Sequence, residues 1–174
     1  IFRGSDIESA LRLTRGSLVI KPNVTVSLDP SILFVCPTTE NSNEFEIRVG
    51  VESPEKDGPP VTFVSLKLSD NSEQKDRHFQ VIDGSIQQKN HGDSMANTQW
   101  TNVGEITSKP QSLSFHFTNE ARIETIESVL RSILCKSSAR MNSPQQARAT
   151  YQFLSKPESL VMKSNSLLIR MQQE

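Results

Sequence analysis

Leu113-Ser-Phe-His-Phe-Thr-Asn-Glu-Ala-Arg-Ile-Glu-Thr-Ile-Glu-Ser-Val-Leu-Arg-Ser-Ile133 changes its period partway along. Leu113, Phe115 and Phe117 alternate with Ser114 and His116, the two-residue repeat of a strand with one buried face. His116 therefore belongs to the opposite, solvent-side face. Ile123, Ile126, Val129, Leu130 and Ile133 then recur at three- and four-residue intervals, one apolar stripe on a helix over 120–131.

Outward from this segment the two-residue period dominates. Phe45, Ile47, Val49 and Val51 alternate with Glu46, Arg48 and Gly50, and Val64, Leu66 and Leu68 do the same. Phe79 and Val81 mark a strand that Asp83-Gly84 turns into Ser85–Gln88. Trp100–Ile106, Ala149 to Phe153, Leu160–Lys163 and Leu167–Met171 read as further strands. Near the start, Ser17–Lys21 and Val24–Leu28 flank Pro22-Asn23, and Ile32–Val35 follows Asp29-Pro30. Segments 53–60 and 89–99 are loops, the first built on Glu55-Lys56-Asp57-Gly58-Pro59-Pro60. Ser5-Asp6-Ile7-Glu8 has capping-box spacing, and Ile7, Ala10 and Leu11 follow at helical intervals up to Gly16, which predicts a short helix over 5–15. About ten short strands with few helices between them argue for an all-β, antiparallel β-sandwich rather than βαβ units. The expected organisation is a linker or capping helix over 1–16, then a single sandwich domain over 17–174. Ser17-Leu-Val-Ile-Lys-Pro-Asn23 and Ser159-Leu-Val-Met-Lys-Ser-Asn165 are similar enough to raise tandem repetition, although one such match is close to chance.

Composition narrows the function classes. The 174 residues carry 19 Lys+Arg against 20 Asp+Glu, a net charge of −1, so no broad field draws in a polyanion. Lys and Arg form no basic stripe, and no nucleic-acid partner is expected. No apolar run reaches the roughly 18 residues of a membrane helix. The hydrophobic share is only 34%, and 24 Ser, 11 Thr, 10 Asn and 11 Gln make up the difference. The opening Ile1-Phe2-Arg3-Gly4 has no initiator Met or signal-like stretch and reads as the start of a mature product or an excised piece.

From Leu113 through Ile133, Lys136-Ser137-Ser138 and Asn142-Ser143-Pro144 to Arg148-Ala-Thr-Tyr-Gln-Phe153, the chain resembles the C-terminal half of the cadherin-like, immunoglobulin-like β-sandwich repeats of large secreted adhesins. Val129-Leu130-Arg131-Ser132-Ile133 matches their helix motif, Arg148–Phe153 their last strand, and Val103-Gly104-Glu105-Ile106 a preceding strand. Read physically, the helix crosses between sheets, and Ile126, Val129, Leu130 and Ile133 plug the sandwich end. Arg131 then faces outward or pairs with a carboxylate. Such repeats often hold calcium between modules through Asp clusters. The 7 Asp of this chain form no such run, Asp70, Asp76 and Asp83 being scattered over loops, so no cofactor is expected.

Candidate chemistry is sparse. His91-Gly92-Asp93-Ser94 brings the triad residue types into one loop, but a triad needs them held rigidly on separate elements. No enzyme is expected. Cys36 and Cys135 form a candidate disulfide closing a loop of about 100 residues, or are two buried thiols acting as small apolar residues. Asn23-Val24-Thr25 is a candidate N-glycosylation sequon. Lys56, Asp57, His91 and Asp93 mark candidate binding loops, with Trp100 a rim or core residue beside the second.

These features predict a non-enzymatic module of a larger extracellular or cell-surface protein, a structural spacer or adhesion unit with a protein or surface-glycan partner and neighbouring domains. The alternative is a cytoplasmic interaction module, immunoglobulin-like or pleckstrin-like, docking a protein partner. A pleckstrin-like barrel should end with its helix, whereas strands are expected here after residue 146.

Overall fold

The structure, a computed structural model, describes residues 11–34, 44–55, 61, 63–69, 79–89, 99–118, 120–137, 146–155 and 160–171. The chain is mostly β. Its strands are β1 (Leu11–Arg12), β2 (Ser17–Ile20), β3 (Thr25–Ser27), β4 (Leu33–Phe34), β5 (Glu44–Glu52), β6 (Val64–Leu68), β7 (Phe79–Ile82), β8 (Ser85–Lys89), β9 (Trp100–Lys109) and β10 (Ser112–Thr118). The helix α1 (Ile123–Arg131) precedes β11 (Ile133–Ser137), β12 (Gln146–Ser155) and β13 (Leu160–Met171). Eight strands form one sheet in the order β2-β13-β12-β5-β10-β9-β8-β7; β3-β11-β6 and β1-β4 form two smaller ones.

The alternating rows fix the register at the centre of the large sheet. Leu113, Phe115 and Phe117 lie opposite Val49, Ile47 and Phe45. On the other side of β5, Tyr151 and Phe153 lie opposite Val49 and Ile47. A one-residue slip would turn each row into water, so burial holds the pairing. The core is continuous between the large sheet, the three-stranded sheet and the helix, joining Phe115 and Tyr151 to Leu66, Cys135 and Leu130. At one end Phe45 stacks on Phe34 and Phe153, with ring centroids 5.7 and 5.3 Å away, and tilts against Phe117 at 5.5 Å.

Turn chemistry follows the sequence. Asp83 and Gly84 have φ of 51° and 81°, the two left-handed residues of a tight hairpin between β7 and β8. Lys21-Pro22-Asn23-Val24 closes with Val24 N–H donating to the Lys21 carbonyl at 3.3 Å, Pro22 fixing the second position and Asn23 at φ 63° the third. The helix stripe is buried at Ile126, Val129 and Leu130, with Ile133 continuing it from β11.

Several expectations are corrected. Leu11–Arg12, within the expected 5–15 helix, is a strand paired with β4, and residues 13–15 are not helical either. Gly16 does not take the left-handed conformation that closing such a helix needs. An eleven-residue helix is marginal alone, and here Thr14 gives its N–H and hydroxyl to Asp29 instead. Residues 5–10 lie outside the described residues. The large sheet is not uniformly antiparallel, because β2 runs parallel to β13. Residues 160–171 make one strand where two were expected. The resembling segments at 17–23 and 159–165 differ in structure. The first leaves β2 after Ile20 and ends in the turn at Pro22 and left-handed Asn23, whereas the second lies in β13 except for Ser159, outside the described residues. Ile123, placed on the buried stripe by spacing, is 43% exposed because it opens the helix.

Candidate functional site

Lys89 and Trp100, at the two ends of the expected second loop, are set by β8, β9 and the start of α1. Lys89 lies opposite Trp100, which is half-buried, at the end of the β8–β9 pair. Gln88, one position inward, is only 5% exposed. Its Nε2 donates to the Glu120 carbonyl at 2.7 Å, and its Oε1 accepts from Arg122 N–H at 3.0 Å and the Thr125 hydroxyl at 2.9 Å. The Arg122 guanidinium donates to the Lys89 carbonyl. Arg122 is the N-cap of α1 and makes no side-chain cap bond of its own. Gln88, from another element, instead satisfies the Arg122 N–H, one of the N-terminal donors the helix cannot satisfy internally. The rim carrying Lys89 and Trp100 is thereby pinned to the helix.

Gln88→Ala should cost about 2–3 kcal/mol, because it leaves the buried Thr125 hydroxyl and the part-buried Arg122 N–H and Glu120 carbonyl without their partner. Urea unfolding measures the loss. Emission from Trp100, the single tryptophan, should shift at denaturant concentrations where the rest of the fold is intact. An unchanged midpoint would show that water replaces the amide.

At the other end of α1, Glu127 Oε2 accepts from Phe34 N–H at 2.9 Å. Arg131 Nε donates to the Ile32 carbonyl at 3.0 Å, and its guanidinium lies 3.8 Å from Glu127. Arg131 is thus half-buried and carboxylate-paired, and it ties the segment 32–34 to the helix. Nearby, Asp29 is fully buried; its carboxylate accepts from Thr14 N–H at 2.7 Å, the Thr14 hydroxyl and Ser31 N–H at 3.2 Å. These bonds replace the water that a buried carboxylate loses.

Cys135 lies on β11 between Val26 and Leu66 and is a free, fully buried thiol. Burial pushes its pKa up to about 11, with Arg15 opposing in part. Tyr151, also fully buried, has a hydroxyl without a hydrogen-bond partner among the described residues. Burial, then the Asp29 and Cys135 charges, pushes its phenol far above the ordinary range. The folded chain therefore holds both protons more tightly than the unfolded chain does. The phenol's contribution to stability begins to fall only above its unfolded pKa of 10.0, whereas the thiol's is complete below its unfolded pKa of 9.0 and is lost as pH rises toward 11. A two-unit shift corresponds to about 3 kcal/mol between those limits. Urea midpoints at pH 8 and pH 11 should show this fall, and Cys135→Ala should flatten it. An identical slope in the variant would contradict the assignment.

The outer face of the large sheet is polar. On it, Glu46 accepts from the Ser114 hydroxyl at 2.7 Å and from Arg48 at 2.8 Å, and His116 lies opposite both Glu46 and Glu105. His116 faces away from Phe115 and Phe117, as its alternation requires. Among the described residues, no group of three or more His, Cys, Asp or Glu is placed to hold a metal ion. Nor is any described helix long and apolar enough to cross a membrane.

Of the residues singled out in the sequence, Asn23 lies exposed in a turn, Cys135 in the core and Trp100 at the rim. Cys36, Lys56, Asp57, His91 and Asp93 lie outside the described residues. Gln88 and Asp29 were not singled out. Gln88 carried a signal: it shares strand parity with Ile86, which puts a polar group on the apolar face. Comparison with family models, curated proteins and solved structures finds no match.

Proposed function

We propose that this chain is a non-enzymatic β-sandwich module of cadherin-like, immunoglobulin-like type within a larger surface or secreted protein, serving as a spacer or adhesion unit. The observation that carries the reading is the passage of the chain through α1. The helix leaves β10 in the eight-stranded sheet and delivers the chain to β11 in the three-stranded sheet, with Val129, Leu130 and Ile133 buried at the crossing. This is the strand, helix, strand order of the resembling adhesin repeats. A continuous eight-stranded sheet gives a stiff unit, and loops 53–60 and 89–99 are where a protein or surface glycan would be recognised.

The free thiol of Cys135 favours a second reading, a cytoplasmic module docking a protein partner, since reducing compartments keep thiols unpaired. Within that reading, three strands after the helix speak against a pleckstrin-like barrel. Surface biotinylation of intact cells carrying the tagged full-length protein tests the proposal. Labelling supports the surface module, and labelling only after lysis overturns it.

A further inference from the structure

Asn23 heads Asn23-Val24-Thr25, the only Asn-x-Ser/Thr triplet with a non-proline middle residue in the 174 residues. We infer that Asn23 is an N-glycosylation site, an inference that rests on the surface or secreted reading above. Three features of the fold support it.

The first is exposure. Asn23 and Thr25 are both exposed, and Val24 between them is 43% exposed, so the acceptor triplet lies open to solvent. The second is the turn. Asn23 has φ 63°, which asparagine tolerates better than other side-chain-bearing residues. Its backbone is anchored on β11: Asn23 N–H donates to the Ser137 carbonyl at 3.3 Å, and the Ser137 hydroxyl donates to the Lys21 carbonyl at 2.8 Å. The turn is held from beneath, leaving the side chain to solvent. The third is position. β3, which begins at Thr25, is an edge of the three-stranded sheet. A bulky, hydrated substituent there costs no packing and covers Val24 and an edge otherwise able to pair with another strand.

The co-reactant is a lipid-linked oligosaccharide diphosphate. Asn23 Nδ2 bonds to the anomeric carbon of its first sugar as that carbon's bond to the diphosphate oxygen breaks. The amide gives up one proton, and the lipid diphosphate leaves. No oxidant or reductant enters.

The test secretes the chain from eukaryotic cells behind an added signal peptide and measures its intact mass. One glycan is expected, removed by an N-glycosidase that leaves Asp in place of Asn23. Asn23→Gln and Thr25→Ala should each abolish it completely, while Thr25→Ser should keep it. Because Thr25→Ala leaves the turn residues unchanged, loss in that variant reports the acceptor sequence and not misfolding. A secreted, folded wild-type chain at its unmodified mass overturns the inference. The added signal routes the chain whatever its native location, so a glycan here with labelling only after lysis in the biotinylation experiment would sink the surface reading and leave the site standing.

Discussion

Gly104→Ala is expected to destabilise the protein by about 3 kcal/mol or more, the range of overpacking and its exceptional extreme. A Cβ at this position would sit 2.3 Å from the His116 carbonyl oxygen, 3.3 Å from its carbon and 3.4 Å from Phe117 Cα. All three are backbone atoms of β10, and no rotamer change relieves the overlap. The close approach has a cause in the pairing. Ile86 lies opposite Gly104 and Gln87 opposite Asn102, so Val103 is an extra residue in β9. Val103 and Gly104 are consecutive and both buried, as a bulge permits. Asn102 Oδ1 accepts from Gly104 N–H at 3.1 Å and steadies it. Gly16→Ala is the control, since nothing lies within 4 Å of its Cβ position. Urea midpoints should separate the two variants widely; equal, small shifts would show that β9 and β10 part without penalty.

Phe45→Ala should cost about 3–5 kcal/mol, the usual range for removing a buried aromatic ring. Phe45 touches three other rings, those of Phe34, Phe153 and Phe117. It thus joins β4, in the helix-bound segment 32–34, to β10 and β12 of the large sheet. The cavity would open where β4 is held by pairing with β1, by Glu127 and, through Ile32, by Arg131. We expect limited proteolysis of the variant to cut first near β4, ahead of global unfolding. Phe45→Leu, which refills much of the volume, should lose less. Equal losses in the two variants would mean that ring stacking, and not volume, governs this end of the core.

Much of this framework was legible because a half-buried strand writes its own pattern. β5, β6, β10 and α1 were readable from alternation or helical spacing alone, and β8 from the turn at Asp83-Gly84 that leads into it. The failures share a cause. At 11–15 a few apolar residues at helical spacing resembled a helix, but the backbone there pairs with β4 and bonds to Asp29, a carboxylate 15 residues from Thr14. Local spacing cannot weigh a partner it does not contain. Sequence also could not tell that β2 would run parallel to β13, because both strands carry the same kind of pattern in either direction.

The candidate site divides in the same way. Exposure of Asn23 follows from Pro22 and a left-handed turn, both local, whereas the anchoring of that turn on Ser137 is tertiary. The rim carrying Lys89 and Trp100 exists because Gln88 reaches the start of a helix more than thirty residues away. By itself the sequence determined that the chain is mostly strands, where one helix falls and which faces are apolar, since those depend on side-chain period and backbone preference. Only the tertiary structure decided strand order, the close contact that requires glycine at 104, and the burial of Asp29, Gln88, Cys135 and Tyr151. Each of those depends on which distant backbone arrives beside it.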